Sequence, residues 1–408
     1  MTVSLAEARA LDAADPIAGY RGLFALPPGV VYLDGNSLGA LPLGTASRLG
    51  EVIRKEWGEG LVRSWNSADW IGLPRKVGAM IAPLIGARAD EVIACDSTSV
   101  NLYKLIAAAL MMRSGRKVVL SEPGNFPTDL YLIAGLEAQG LAEKRLAARD
   151  QLETALDEDV ALLLLTHVHN KTGAMHDMAR LTRAAHEAGA LVLWDLSHSA
   201  GAVPVDLNGC EADLAVGCGY KYFNGGPGAP AFAFVAERHQ AALQQPLTGW
   251  MGHAAPFAFA DDYAPAAGID RLLTGTPPIL GMAALEEGVR IIAEIGIDQL
   301  VAKSRALSEF LHAAIAQIAP DLPCVSPEDP SARGSQLSYR HAEAYAVSQA
   351  LIGRGVIPDF REPDVLRLGL APAYLRFEDC WHAAQALGEV LASGEWERAE
   401  FNTRAAVT

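Results

Sequence analysis

Four short runs in the middle of the chain are apolar at nearly every position: KVVL at 117–120, VALLLL at 160–165, ALVLW at 190–194 and DLAVG at 213–217. Runs that are apolar at consecutive positions predict strands buried on both faces, and hence a mostly parallel sheet covered by helices. Between the second and third runs, MARLTRAAHEAG at 178–189 repeats its apolar residues at helical spacing and stops at Gly189, a helix-terminating glycine. This alternation predicts a three-layer αβα domain over 47–280. Past the Thr276-Pro277-Pro278 break come two long Ala- and Leu-rich helical patterns, 279–295 and 297–318, and then shorter elements. They predict a smaller α/β C-terminal domain over 281–408, with 1–46 as an N-terminal segment packed on it. PEDPSARGS at 327–335 reads as a loop, and the polar stretch 395–408 as a frayed terminus.

Composition narrows the partners. The chain has 408 residues, enough for two or three structural units at roughly 150 residues each. With 50% hydrophobic and 20% charged residues it is not a disordered chain. A net charge of −15 repels phosphate backbones, so nucleic acid is set aside as a main partner. Cys95, Cys210, Cys218, Cys324 and Cys380 are scattered without CxxC spacing, which fits a reducing compartment and neither a disulfide framework nor a structural zinc. The N-terminus carries acids where a signal peptide carries a basic region. The longest apolar stretches, 105–112 and 161–165, are far short of the roughly 18 residues that span a bilayer. The expectation is a soluble cytoplasmic protein with no membrane partner.

The third and fourth apolar runs lead into WDLSHSAG (194–201) and GYKYFNGGPG (219–228). Taken singly, Asp195 is most simply a helix cap and Lys221 a solvated turn residue. Together they fall at the carboxyl edge of a parallel sheet, where open α/β folds bind ligands. A carboxylate there can pair with a pyridinium nitrogen while an amine forms a Schiff base, which is what a protein contributes to a pyridoxal 5′-phosphate (PLP) site. Burial favours the neutral amine that Schiff-base formation needs, whereas Asp195 has to stay ionised. His198, three residues on, either orients that carboxylate or is a hydrogen-bonded loop histidine. CDSTSVNL (95–102) is a hydroxyl-rich turn opening a helical pattern over 102–112, suited to a phosphate or to plain capping. EPGNFPTD (122–129) forms a turn after the first run, where an aromatic can stack on a planar ring or belong to the core. In THVHNKTG (166–173) Asn170 is placed to reach a cofactor oxygen, and the i, i+2 histidines His167 and His169 read as loop residues more readily than as metal ligands.

These motifs resemble the kynureninase family of PLP enzymes (fold type I). YLDGNSLG (32–39), NFPTD (125–129), WDLSHSAG, the GYKYFNGGPG lysine loop and TGTPPIL (274–280) match in order and spacing, the first two being the most specific. The resemblance implies that Lys221 holds PLP as a Schiff base, that Asp195 pairs with its ring nitrogen beside His198, and that Phe126 stacks on the ring. Pro127, Thr128 and Asp129 belong to the same cofactor segment. Ser97 and Thr98 would hold the phosphate with Tyr220, joined by Trp250 and Thr276 from the neighbouring subunit of a homodimer. Arg367 would take the α-carboxylate of L-kynurenine, with Trp65 and Ser37 lining its aromatic end. Animal members that prefer the 3-hydroxy substrate carry His and Asn where this chain has Trp65 and Thr276, which implies a preference for L-kynurenine here. The implied reaction is hydrolytic Cβ–Cγ cleavage to anthranilate and L-alanine, with Lys221 and Tyr220 moving protons. A cysteine desulfurase or aminotransferase on the same fold is the alternative; a desulfurase would need Cys324 as its reactive thiol.

Overall fold

A computed structural model of the chain describes residues 3–404. Among them, seven strands make the main sheet: β1 Val92–Ala94, β2 Val118–Ser121, β3 Glu143–Leu146, β4 Val160–Thr166, β5 Leu191–Asp195, β6 Leu214–Gly217 and β7 Phe232–Val235. Their spatial order is β1-β7-β6-β5-β4-β2-β3. Only β7 runs against its neighbours. Every residue of β4, β5 and β6 is buried, as their unbroken apolar runs predict. Side chains alternate between two cores. Leu162, Leu164, Leu191 and Leu193 pack towards the helices Thr98–Met112 and Pro127–Ala138. Leu163, Leu165, Val192 and Trp194 pack towards Met178–Glu187 and Leu73–Ile81. The result is the expected helix–sheet–helix sandwich.

Two local expectations shift. The helix expected over 102–112 begins at Thr98, because the Ser97 hydroxyl accepts the Val100 N–H (3.3 Å) and caps it. Of the turn expected over 122–129, residues 127–129 open the helix Pro127–Ala138, with Pro127 in its first turn, where a missing N–H does no harm.

A smaller sheet holds β8 Gln336–Arg340, β9 Asp359–Arg361 and β10 Val365–Gly369 in the antiparallel order β8-β10-β9. The helix Phe377–Ser393 packs against Ile297–Ile318 and against the N-terminal helix Leu5–Ala14. Val31–Tyr32 adds a parallel pair to Val356–Ile357, which brings the YLDGNSLG segment beside the small sheet. The tail is not frayed through residue 404. Trp396 and Phe401 pack on the core, and Thr403 O accepts the Tyr345 hydroxyl (3.1 Å). Residues 405–408 of that expectation lie outside the described residues. No helix among the described residues is long and apolar enough to cross a membrane.

Candidate active site

Strands β2, β4, β5 and β6 are parallel, so their carboxyl ends share one edge. Asp195 and Thr166 are the last residues of β5 and β4; Asn125 and Phe126 follow β2; Lys221 follows β6. Lys221 is buried, and its Nζ lies 2.9 Å from His198 Nε2 and 5.8 Å from the centre of the Phe126 ring. Burial lowers the Lys221 pKa, in part opposed by Cys218 and Asp195. The Tyr220 ring centre is 6.0 Å from the same amine, and burial pushes its phenol upward. The lysine loop is pinned from the N-terminal segment. Gly39 N–H donates to Tyr220 O (2.8 Å), and a Cβ on Gly39 would sit 2.3 Å from Lys221 O. Only glycine permits that approach.

Of the two readings open for His198, an orienting contact to Asp195 is not formed. Its ring turns to Lys221, and Asp195 Oδ1 is held by Ser197 N–H (2.8 Å). The reason is local. The chain folds back at once after β5, with Ser199 N–H donating to Leu196 O (2.8 Å), and the imidazole comes out on the lysine side.

A second buried carboxylate, Asp129, shares this edge. Its Oδ2 accepts from Asn125 Nδ2 and Thr166 Oγ1, both at 3.2 Å, while Oδ1 is buried without a partner. Burial pushes Asp129 well above the usual carboxylate range, and the Asp195 charge pushes the same way. Asp195 is itself raised by burial, against the Ser197 hydrogen bonds and the Lys221 amine. His198 Nδ1 is also buried and unpartnered, and burial, then Lys221, depresses that ring well below the ordinary histidine value. Two carboxylates thus face one amine of weakened basicity. A planar ring with a protonated nitrogen and an aldehyde fits this edge, supplying the missing positive charge to Asp195 and a carbonyl to Lys221.

Arg367 lies on β10 and is fully buried. Nη1 donates to Asn170 O and Nη2 to Ser37 Oγ, each at 2.7 Å; Nη2 also pairs with Asp359, while Nε has no partner. Asn170 therefore meets Arg367 through its main-chain oxygen. Arg361 Nη2 reaches the same Asp359 carboxylate (2.9 Å) and Ser37 Oγ (3.2 Å), and Asp34 Oδ1 lies 3.9 Å from Arg367 Nη2. Burial and the Asp359 charge push the Asp34 carboxyl up to about 7. Sequence reasoning missed Asp34, Asp359 and Arg361. Asp34 stood inside a quoted motif, but Asp359 and Arg361 meet Arg367 only through strand register.

The remaining expected residues occupy the surroundings. Ser97 is exposed at its helix N-terminus with Thr98 as first helical residue; Pro127 is exposed and Thr128 half-buried. Lys104, fully buried, pairs with Asp96 and reaches Leu272 O and Thr274 Oγ1, and so ties the Asp96–Ser97 turn to the loop that carries exposed Thr276. Trp250 is 41% exposed among Phe257 and Phe259. Half-buried Trp65 meets Trp70 edge to face at 5.7 Å. His167 Nδ1 is bonded to Ser199 Oγ (2.9 Å) and His169 Nε2 to Gly124 O (3.0 Å), so both act as structural loop residues. Cys324 forms one isolated β-bridge with Tyr339, and burial pushes its thiol up.

Residues 300–387 match the family model described as the kynureninase C-terminal domain. A curated kynureninase from Burkholderia mallei (strain SAVP1) is 51% identical, over 98% of this chain and 99% of its own length. The chain belongs to the kynureninase family. Among solved structures, the fold of the family member described here is similar to a cysteine desulfurase from Thermococcus onnurineus NA1, with a TM-score of 0.80, 18% identity, and coverage of 92% of this chain and 98% of the other. It is also similar to a C-DES variant with glycine covalently linked to its PLP cofactor, with a TM-score of 0.79, 17% identity, and coverage of 90% and 99%. At those identities the likeness shows the fold alone.

Proposed function

We propose that this chain is a PLP-dependent hydrolase that cleaves the Cβ–Cγ bond of L-kynurenine with water, giving anthranilate and L-alanine. The observation that carries the reading is a pair of poles: a buried Lys221 amine beside the cation-poor Asp195 and Asp129 carboxylates at the edge of the main sheet, and a fully buried Arg367 guanidinium on the small sheet, which reaches the loop after β4 at Asn170 O. Membership of the kynureninase family selects the reaction among those the fold can host.

Bound PLP would supply the electron sink for carbanions at the α- and β-carbons of the substrate. Lys221 would carry it, and its amine would take the proton from the substrate's α-carbon; burial favours the neutral amine that both roles need. Asp195 would keep a proton at the ring nitrogen, and Phe126 would stack on the ring. Ser97, Thr98 and the open end of their helix would hold the phosphate, and Tyr220 would pass a proton to the β-carbon. Arg367 orients the α-carboxylate by two-point pairing, and Trp65 with Ser37 receives the aromatic end. The oxygen of water ends on the former γ-carbonyl carbon, now the anthranilate carboxylate; one of its protons is matched by the new C–H of alanine, and the other is released as the carboxylic acid ionises.

The reading includes a second copy of the chain. Trp250, Phe257, Phe259, Trp57 and Val62 are large apolar side chains exposed by 41 to 77%, and such surface is usually covered by a partner. Trp250 and Thr276 would then serve the partner's site. A cytoplasmic setting and a preference for L-kynurenine over its 3-hydroxy form belong to the same reading. A desulfurase role is disfavoured by the raised Cys324 thiol.

The test is to follow anthranilate fluorescence and alanine release from L-kynurenine by the PLP-loaded protein. Equal release of both products is expected, with Lys221→Ala slower by about 10³-fold or more, the scale of a lost acid–base group. Loaded protein that releases neither product sinks the proposal.

A further inference from the structure

The substrate pole of the site contains more charge than one carboxylate needs. Strand β9 pairs antiparallel with β10 in the register Asp359↔Arg367 and Arg361↔Val365, so Asp359 stands opposite Arg367 and Arg361 lies two residues along on the same face. Asp359 Oδ1 is held by Phe360 N–H (2.8 Å), which leaves Oδ2 as the atom shared by Arg367, Arg361 and Ser37. A carboxylate pairs with a guanidinium best through two parallel N–H donors. On Arg367, Nη1 is spent on Asn170 O, so the side-on pair Nε and Nη2 is the available fork. Nε is unpartnered and buried; Nη2 already carries Asp359. Arg361 is differently placed. Its side chain is 36% exposed, its Nε is unpartnered, and it already holds Asp359 at 2.9 Å.

We propose that Asp359 and Arg361 form an exchange pair for Arg367: Asp359 is the carboxylate that the substrate's α-carboxylate displaces from Nη2, and Arg361 is the guanidinium that retains it. Arg361 is then a positioning residue that acts through Asp359 and sets how readily Arg367 accepts an α-amino acid. Without it, a displaced Asp359 would be left as an uncompensated buried charge, which is strongly unfavourable. The inference rests on the proposed placement of the substrate carboxylate at Arg367.

The experiment compares wild type, Arg361→Gln, Arg361→Lys and the double variant Asp359→Asn/Arg361→Gln as PLP-loaded proteins. It reads KM and kcat for L-kynurenine, and the dissociation constant of L-alanine by calorimetry. Arg361→Gln is expected to raise KM and the alanine constant roughly tenfold or more, the scale of a charged hydrogen bond, with a much smaller change in kcat. Arg361→Lys keeps the charge without the fork and should fall between. The double variant should recover to within about threefold of wild type, because Asp359 then no longer competes for Arg367. A structural ion pair predicts otherwise: unchanged KM and alanine affinity in Arg361→Gln, or a double variant as weak as the single, overturns the proposal. Should Arg361→Gln not fold, Arg361→Lys and the double variant carry the same comparison. If wild type binds alanine with this pattern yet releases no anthranilate, the proposed reaction fails and the exchange pair stands; turnover without the pattern does the reverse.

Discussion

The two poles of the site solve opposite electrostatic problems. At the Lys221 pole, Asp129 and Asp195 are both buried and raised, with a partnerless oxygen on Asp129 and a partnerless nitrogen on His198. At the Arg367 pole, two guanidiniums face two carboxylates, with Ser37 shared among them. The first is short of positive charge and suits a resident cation. The second carries cations and anions together and suits a ligand that comes and goes, because each binding event exchanges one ion pair for another. A cofactor pocket can rely on a partner that stays; a substrate pocket has to be stable in both states.

The largest test of this contrast swaps a carboxylate for its amide at each pole. Asp195→Asn should cut turnover by about 10²- to 10³-fold, as loss of a preorganised charge does. In the cofactor-free protein it should leave the melting temperature unchanged or raised, because repulsion with Asp129 disappears. Asp359→Asn should destabilise the protein with or without cofactor, by about 3–5 kcal/mol if the pair behaves as other broken buried pairs do. Thermal melts of the two variants, stripped and loaded, read both signs. Melts that shift the same way in both would erase the contrast.

A smaller effect separates the poles by pH. Asp34, pushed up to about 7, faces Asp359, Arg361 and Arg367, with Tyr32, Tyr222 and Tyr374 close by. A docking carboxylate adds negative charge beside it and favours its protonated form further. Below pH 7 Asp34 is already protonated and docking is unopposed; above it, docking must take up a proton. L-Alanine affinity should therefore weaken as pH rises through 7, and Asp34→Asn should flatten the profile between about pH 6 and 8. Calorimetry in buffers of different ionisation heat would register the proton uptake directly.

How far the sequence carries depends on what kind of physics places each residue. Strands β4, β5 and β6 are buried on both faces, so their apolar runs announce them; helices Ile279–Ile295 and Ile297–Ile318 match their patterns. Edge strand β3, with the sequence EKRL, is half exposed and carries no such signal. Asp195 stands out by residue type at a strand end, Lys221 in the glycine-rich loop after a strand, and Arg367 as a lone cation between leucines. The partner of His198 does not, because it depends on how tightly the chain turns after β5. The set of Asp34, Asp359 and Arg361 depends on antiparallel register in the small sheet and on the close approach that Gly39 allows between the N-terminal segment and the lysine loop. Local pattern reports burial; it does not report which distant segments meet.

The smallest effect concerns acid. His167 follows β4, its N–H donating to Asp195 O (2.9 Å) and its Nδ1 bonded to Ser199 Oγ (2.9 Å), so it ties the end of β4 to the end of β5 and the turn that follows. Burial, with help from the neighbouring His176, lowers its pKa to about 4. The unfolded chain protonates this ring near pH 6.5, earlier than the folded chain does on acidification, so the unfolded state binds more protons between about pH 6.5 and 4. Stability therefore rises with pH across that window and is lost on the way down, by roughly 3 kcal/mol for this one residue. The guanidiniums of the Arg367 pole do not titrate there. The His167 contribution should therefore fade as acid is added. Urea unfolding of the cofactor-free protein at pH 7 and pH 4.5 should show the loss, and His167→Gln should lose less between the two pH values even if it starts lower. An equal loss in the variant would move the acid-sensitive group elsewhere.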